Sequence, residues 1–320
     1  MPLTISPAEL QKSAQKFRKE LFIVPMLAAE DTLKHFTPHL NLEGDLTLGQ
    51  LTGDIQLAPF KATRGTSGEG NFSIAGRKLE IFLGNCADRF NPNNVWGSIY
   101  GSKVLHGEDL KNVNIAKAIL TYTAACLGKN LNLVLWNAKE NSSGDTTKDL
   151  FNGLDTITAT EIGKSTIGTA KKNYKEVSKI TNINGVEIIE SIMDELAPEL
   201  ISSPCKLFTS PDVVRNYERD YRERFGGTTY NKQYEKFFVE GTAGMVELVP
   251  LASKAGSEYI HICPKSNVHY GCGGGQYPGE NIDIRQFNSW LLTIETAMAF
   301  GLQFESLSPE VFFTAKVAKV

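Results

Sequence analysis

Residues 44–84 constrain the architecture more than any other part of the chain. The segment reads GDLTLGQLTGDIQLAPFKATRGTSGEGNFSIAGRKLEIFLG, with extended, partly alternating stretches on either side of a tip, Thr63 to Asn71. That tip is almost wholly Gly, Ser, Thr and charged residues. Alternation of apolar and polar residues is a strand signal, so the segment predicts a long β-hairpin. Its outer half has too few apolar side chains to stabilise itself, and an isolated two-stranded ribbon is marginal in water. The hairpin is therefore expected either to be mobile in a lone subunit or to be held by another molecule.

The residues before it predict a helical arm. Ser6-Pro7-Ala8-Glu9 combines a capping serine, a proline at the first helical position and a glutamate three residues on. Leu10, Ala14, Phe17 and Leu21 follow at helical spacing. Pro25 is expected to kink or end the helix, because it has no N–H to donate. The period resumes through Met26, Ala29, Leu33 and Phe36. This single narrow stripe must lie against something, its own core or a neighbouring chain.

Beyond the hairpin, NPNNVWGSIYGS (91–102) is turn-rich and leads to a helix from about Leu110 to Leu127. Ile115, Ala118, Ile119, Tyr122 and Cys126 form its apolar face, and Gly128 is the expected stop. LNLVLW (131–136) then reads as a strand, and residues 155–182 show no strong period. A helix over Val186–Leu196 is closed by Pro198, and CKLFTS (205–210) reads as a strand. Ser210-Pro211-Asp212 starts a further helix, with Val214, Tyr217, Tyr221 and Phe225 as its apolar stripe and Gly226-Gly227 at its end. The remaining face, Arg215, Glu218, Arg219, Asp220, Arg222, Glu223 and Arg224, reads as a solvated surface. From residue 236 on the sequence reads as strands and turns, including 290–306, where Thr, aromatics and the Gly301 break favour strand. Helices and strands mix without a βαβ rhythm, so the fold class is α+β.

Composition narrows the function. The chain has 320 residues, 41% hydrophobic and 22% charged, with a net charge of −3, which argues against a generally basic nucleic-acid binder. No run approaches the roughly eighteen apolar residues of a membrane span, and the start MPLTISPAEL lacks the pattern of a signal peptide. The five cysteines, 86, 126, 205, 263 and 272, are odd in number and mostly far apart, so reduced thiols are expected. Cys126 sits on an apolar helix face and Cys86 in a Gly/Asn turn region.

One stretch invites a chemical reading. EYIHICPKSNVHYGCGGGQYPG (258–279) places His261, Cys263, His269 and Cys272 within twelve positions. A hairpin turning at Pro264–Asn267 would bring the two pairs together as zinc ligands. The spacing matches none of the common zinc patterns, no other cysteine pair supports it, and nothing nearby supplies the electropositive setting of a reactive thiolate. GCGGGQYPG lacks the Lys-Ser/Thr pair and following helix of a phosphate loop, and reads as a surface turn. Paired carboxylates, nucleophile elbows and HExxH motifs are missing as well, so no catalytic, cofactor or metal residue is assigned and a non-enzymatic protein is expected. The enzyme alternative rests on Cys263, His269 and Cys272.

The order of features resembles the major capsid protein of tailed double-stranded DNA bacteriophages, a fold shared with the herpesvirus capsid floor. IAKAILTYTAACLGKN followed by LFNGLDTI resembles that family's spine helix and the turn after it. GVEIIESIMDELAPEL, CKLFTSPDVVRNYERDYRERFGG and GMVELVPL with EYIHICPKSNVHYG resemble the helices and strands of its axial domain. DIRQFNSWLLTIETAMAFGLQFESLSPEVFFTAKV resembles its closing strands.

The resemblance implies an N-terminal arm over 1–43, an extended hairpin loop over 44–84, and a peripheral domain with a spine helix over 85–200. An axial domain over 201–284 and return strands over 285–320 complete the division. It further implies that arm and hairpin grip neighbouring copies, that copies close into hexamers and pentamers of an icosahedral shell, and that the shell encloses DNA contacted non-specifically. Scaffold, protease and portal proteins are implied partners, with synthesis in the bacterial cytoplasm and residence in the virion capsid of a phage or prophage. The short arm implies a separate scaffold or prior processing. Some members join subunits through a lysine–asparagine bond; Lys61 and Lys78 flank the hairpin, and neither matches that motif. An encapsulin-type nanocompartment shares the implied fold.

Overall fold

The computed structural model describes residues 18–53, 72–90, 115–226, 237–286, 288 and 291–318. The expected helix cap at Ser6, the hairpin tip at 63–71 and Lys61 lie outside them. The chain opens with helices α1 (Arg18–Ala28) and α2 (Glu30–Leu33) and strand β1 (Thr37–His39). Pro25 lies inside α1 and does not end it. Its carbonyl still accepts the N–H of Ala29 at 3.1 Å, so only the bond that proline itself cannot donate is lost. Strands β2 (Leu46–Gly53), β3 (Phe72–Leu79) and β4 (Phe82–Phe90) follow. Cys86 therefore lies on a strand rather than in a turn.

Helix α3 (Ile115–Val134) is longer than the sequence suggests. It runs through Gly128 and takes in the first four residues of LNLVLW, so the expected stop and strand are both overturned. The buried line along it is Ala124, Gly128, Leu131 and Leu135, which keeps the helical period, whereas Tyr122 is 73% exposed. A Cβ at Gly128 would lie 2.2 Å from the Pro25 carbonyl oxygen. The glycine is there to let α1 cross closely, not to terminate the helix.

The stretch with no visible period contains helix α4 (Leu154–Gly163) and strand β5 (Tyr174–Val177). Helices α5 (Gly185–Met193) and α6 (Pro198–Ile201), strand β6 (Cys205–Thr209) and helix α7 (Pro211–Phe225) come next. Pro198 begins α6 rather than closing the helix before it. Gly226, at φ +67°, ends α7 in the left-handed conformation. Asp220 departs from the expected solvated face. It is 2% exposed, accepts the N–H of Val186 at 2.7 Å, and pairs with Arg224 Nε at 2.7 Å. It thus satisfies a free donor at the start of α5.

The remaining strands are β7 (Phe237–Phe238), β8 (Val246–Pro250), β9 (Tyr259–Cys263), β10 (Val268–Cys272), β11 (Asn281–Gln286), β12 (Leu292–Phe304) and β13 (Phe313–Val317). One sheet has the order β5-β13-β9-β6-β8-β7; a second has β1-β10-β12-β11 with β4 on the other side of β12; among the described residues β2 and β3 pair only with each other. The expected β9–β10 hairpin does not form, because β9 and β10 belong to different sheets. Two antiparallel pairs, β9 with β13 and β10 with β12, change sheets at the same corner. Buried Asn267 pins it: its amide donates to Ser306 O (2.9 Å) and Val311 O (3.2 Å), and its Oδ1 accepts from Ser306 N (2.8 Å).

Two apolar cores flank this corner. One gathers Phe36, Trp136, Phe151, Phe208, Phe300, Phe304 and Phe312; the other gathers Ile189, Ile192, Leu200, Leu207, Ile260 and Ile262. The arm's second stripe belongs to the first: Met26, Ala29, Leu33 and Phe36 are all buried there. Leu21 and this second stripe thus pack within the subunit itself.

Glycine substitutions separate packing from propensity. Gly128→Ala gains about 1 kcal/mol of helix propensity but forces a Cβ into the Pro25 carbonyl, where overpacking costs about 1–3 kcal/mol. A lower melting temperature is expected. Gly163→Ala, at a position with nothing within 4 Å of the added Cβ, is expected to raise it. Thermal denaturation followed by circular dichroism checks both signs.

Candidate functional site

The histidines and cysteines of 258–279 do not form one site. His261 and Cys263 stand on β9 in the six-stranded sheet, His269 and Cys272 on β10 in the other. Among the described residues no group of three or more His, Cys, Asp or Glu is arranged to hold a metal. Burial pushes the Cys263 thiol well up, and pushes Cys272 to about 11 and Cys205 to about 12. All three stay protonated at neutral pH and are poor nucleophiles. The alternative centred on Cys263, His269 and Cys272 therefore has no geometry to work with.

His261 is instead part of a closed polar cluster. Buried Lys254 donates to Asp155 Oδ1 (3.0 Å), Ser257 Oγ (3.2 Å) and His261 Nδ1 (3.0 Å), and sits 3.8 Å from the centre of the Trp136 ring. Burial, then the ammonium beside it, push the His261 imidazole well below its ordinary range. An ammonium only donates, so Nδ1 accepts and the Nε2–H donates to Thr158 Oγ1 at 2.8 Å. That hydroxyl passes its proton to Leu154 O at 2.8 Å. Each of these donors has an acceptor, and Lys254, His261 and Thr158 are buried. The cluster ties α4, β9 and the turn after β8 together.

The glycine run is organised by an internal anion. Glu280, itself buried, accepts the N–H groups of Gly275 (2.6 Å), Tyr277 (3.3 Å) and Ala299 (2.7 Å). Backbone amides that resemble a phosphate cradle are taken up by the chain's own carboxylate.

The β2–β3 ribbon pairs with no other strand among the described residues. Its register runs from Leu46↔Leu79 to Gly53↔Phe72, and eight residues extend roughly 25 Å. Leu79 and Ile81 are buried at its root. Arg77 sets its direction, donating from Nε to Phe304 O (3.1 Å) and from Nη2 to Gln303 Oε1 (3.1 Å) and Glu161 Oε1 (3.3 Å). Gln303 returns a bond to Lys78 O at 3.0 Å, and Lys78 pairs with Asp45 at 2.7 Å. Although burial works against it, the Arg77 guanidinium holds the Glu161 carboxyl below its usual range. Beside this root, on the strand partner of Gln303, His269 Nδ1 meets His39 Nε2 at 2.8 Å and its Nε2 meets Glu305 at 3.0 Å. Sequence reasoning found the ribbon but not the latch, since Arg77, Glu161 and Gln303 share no motif.

Apolar side chains also lie uncovered. Tyr122 and Leu133 on α3 and Leu27 on α1 are exposed, as are Ile183 and Phe225 near the joined ends of α5 and α7. Phe225 was expected to lie in its helix's inward stripe.

Solved structures similar to the chain are capsids. The Satellite phage P4 procapsid including size determination (Sid) protein matches with a TM-score of 0.56 at 10% identity, over 92% of this chain and 98% of that one. The Cyanophage A-1(L) capsid asymmetric unit matches with a TM-score of 0.55 at 14% identity, over 92% of each chain. The capsid of a native GTA particle gives 0.54 at 10%, over 91% of each. No family model matches the chain, and no curated protein matches it. The chain has the α+β fold of phage capsid subunits.

Two measurements test this account of the site. Burial, then the charge of His269, hold His39 below the ordinary histidine range against the pull of Glu305. A histidine depressed in the folded state binds more protons when unfolded, so stability is lost as pH falls below about 6.5. The urea midpoint is expected to drop between about pH 7 and pH 5, and less steeply in His39→Gln. Arg77→Ala leaves the Glu161 carboxylate with exposed Lys164 as its remaining cation and is expected to cost about 1–3 kcal/mol locally, read as faster amide hydrogen exchange over 72–79.

Proposed function

We propose that this chain is a structural capsid subunit, copies of which tile a closed shell around DNA. One observation carries the reading: a fold seen in phage and GTA capsids bears a ribbon, β2–β3, that pairs with no other strand among the described residues. A ribbon of this kind needs a partner surface, and a second copy supplies one in every position of a ring. Contacts of that type are heterologous and close by rotation, which fits hexamers and pentamers of an icosahedral head.

On this reading 1–43 is the arm, 44–84 the extended loop, 85–200 the peripheral region with α3 as its spine, 201–284 the axial region, and 285–320 the return strands. Exposed Ile183 and Phe225 lie where axial contacts around the ring would cover them. Catalysis plays no part in the role; the buried His, Lys and thiol groups maintain the fold. Scaffold, protease and portal proteins are the partners such a shell recruits, and the virion of a tailed phage or prophage is its place.

Electron microscopy and light scattering of concentrated protein test the proposal. Rings, tubes or shells are expected from the full chain. Replacing 54–71 with an Asn-Gly turn is expected to leave the melting curve nearly unchanged and to abolish assembly. A full chain that stays monomeric at high concentration, or a shortened chain that assembles equally well, overturns it.

A further inference from the structure

Residues 164–179 concentrate positive charge in a chain that is negative overall. Five lysines, 164, 171, 172, 175 and 179, stand against the single carboxylate of Glu176, while the net charge of the whole is −3. Lys175 is used internally, donating to Ser191 O at 2.7 Å and lying 3.4 Å from Glu195. Lys164 leans on Glu161 at 3.3 Å with its side chain 63% exposed, and Glu161 is already matched by Arg77. Lys171, Lys172 and Lys179 are exposed and form no ion pair among the described residues.

Lys164, Lys171 and Lys172 flank a fixed loop, and Lys179 follows β5. Buried Asn173 clamps it, accepting from Gly168 N at 2.9 Å and donating to Thr166 O (3.2 Å) and Leu307 O (2.8 Å). Ile167 plugs the loop into the first core. Lys172 ends the short turn at φ +57° and ψ +28°, in the left-handed region. Glycine or asparagine takes that conformation more cheaply than any long side chain. A lysine placed there, with its side chain exposed and in no ion pair, is not what fold stability alone selects.

The surroundings indicate the kind of partner. Ile167 and Val177 are buried and Tyr174 is half-buried, so no exposed aromatic or large aliphatic residue lies between Lys164 and Lys179, and exposed Ile183 follows only beyond Lys179. A protein partner would lack the anchor that dominates such interfaces, and single-stranded nucleic acid would lack a stacking platform. Compact ammonium charges without arginine forks contact a phosphate backbone but do not read bases. We infer that Lys164, Lys171, Lys172 and Lys179 form a sequence-independent contact face for duplex DNA, an inference that rests on the shell reading for the identity of the polyanion.

Fluorescence anisotropy of the unassembled chain with two duplexes of unrelated sequence, titrated with KCl, tests it. Both duplexes are expected to bind alike, with log affinity falling linearly against log salt. Changing all four lysines to Gln is expected to reduce that slope by about 3–4, at roughly 0.9 for each phosphate no longer neutralised. Changing exposed Lys34, Lys139, Lys148 and Lys265 to Gln leaves it unchanged. Lys172→Gly is expected to melt no lower than the parent while binding more weakly. An equal drop in slope in the two quadruple variants, the absence of salt-dependent binding by the parent chain, or displacement by poly-glutamate as strong as by duplex DNA overturns the inference. The last result assigns the face to an acidic protein instead. Shells are scored separately by microscopy. A reduced slope in a chain that makes no shells upholds this face and removes the shell reading, whereas shells with an unchanged slope remove only the face.

Discussion

Two strands with no third strand beside them among the described residues are only as well directed as their root, and here one guanidinium joins that root to two elements of the body. Leu79 and Ile81 fix where the ribbon leaves the body by burying apolar surface, a force with no preferred direction. Arg77 supplies the direction. Its planar fork reaches a backbone carbonyl and a side-chain amide on β12 and a carboxylate on α4 at once. Lysine, a point charge on a flexible stem, has no equivalent geometry. Such a polar latch contributes modestly to net stability, yet losing one partner leaves the other buried and unpaired. It is suited to setting an angle rather than to supplying stability.

The body that carries the ribbon is held together at two polar points. Asn267 pins the corner where two strand pairs change sheets together. Lys254 joins α4, β9 and the turn after β8 through Asp155, His261 and Ser257. A buried ammonium is tolerable only when fully satisfied, and this one has three acceptors and an aromatic face. Buried titratable groups of a kind that elsewhere do chemistry are here the fasteners between elements. Their burial removes solvent access and pushes the His261 imidazole well below its ordinary range.

Local signals that rest on short-range chemistry were legible in the sequence. The Ser-Pro start and Gly226 end of α7, the strands from 237 to 317 and the pairing of β2 with β3 all follow from helix-end residues, glycines and period-two alternation. Long-range choices were not. Gly128 looks like a helix stop until Pro25 is seen above it, and β9–β10 looks like a hairpin until Asn267 is seen bonded to residues near 306 and 311. Helix α4 escaped because both Asp155 and Glu161 on its inner side are buried and paired with Lys254 and Arg77. The polar members of that inner face erased the apolar period that would have revealed it.

The arm and the ribbon looked alike in sequence, each with too thin an apolar face to fold alone, and they met different ends. The arm carries Met26, Ala29, Leu33 and Phe36 at three- or four-residue intervals, enough to continue a core once Gly128 opens a path for α1 over α3. A narrow apolar stripe is therefore no sign of an outside partner; it only requires a groove somewhere. The ribbon differs in kind, because Thr63 to Asn71 offers no apolar side chain except the methyl groups of its threonines. Burial energy scales with apolar area, which that segment does not have. Hydrogen bonding and charge are the interactions its sequence offers, and both depend on distance and orientation where apolar burial does not.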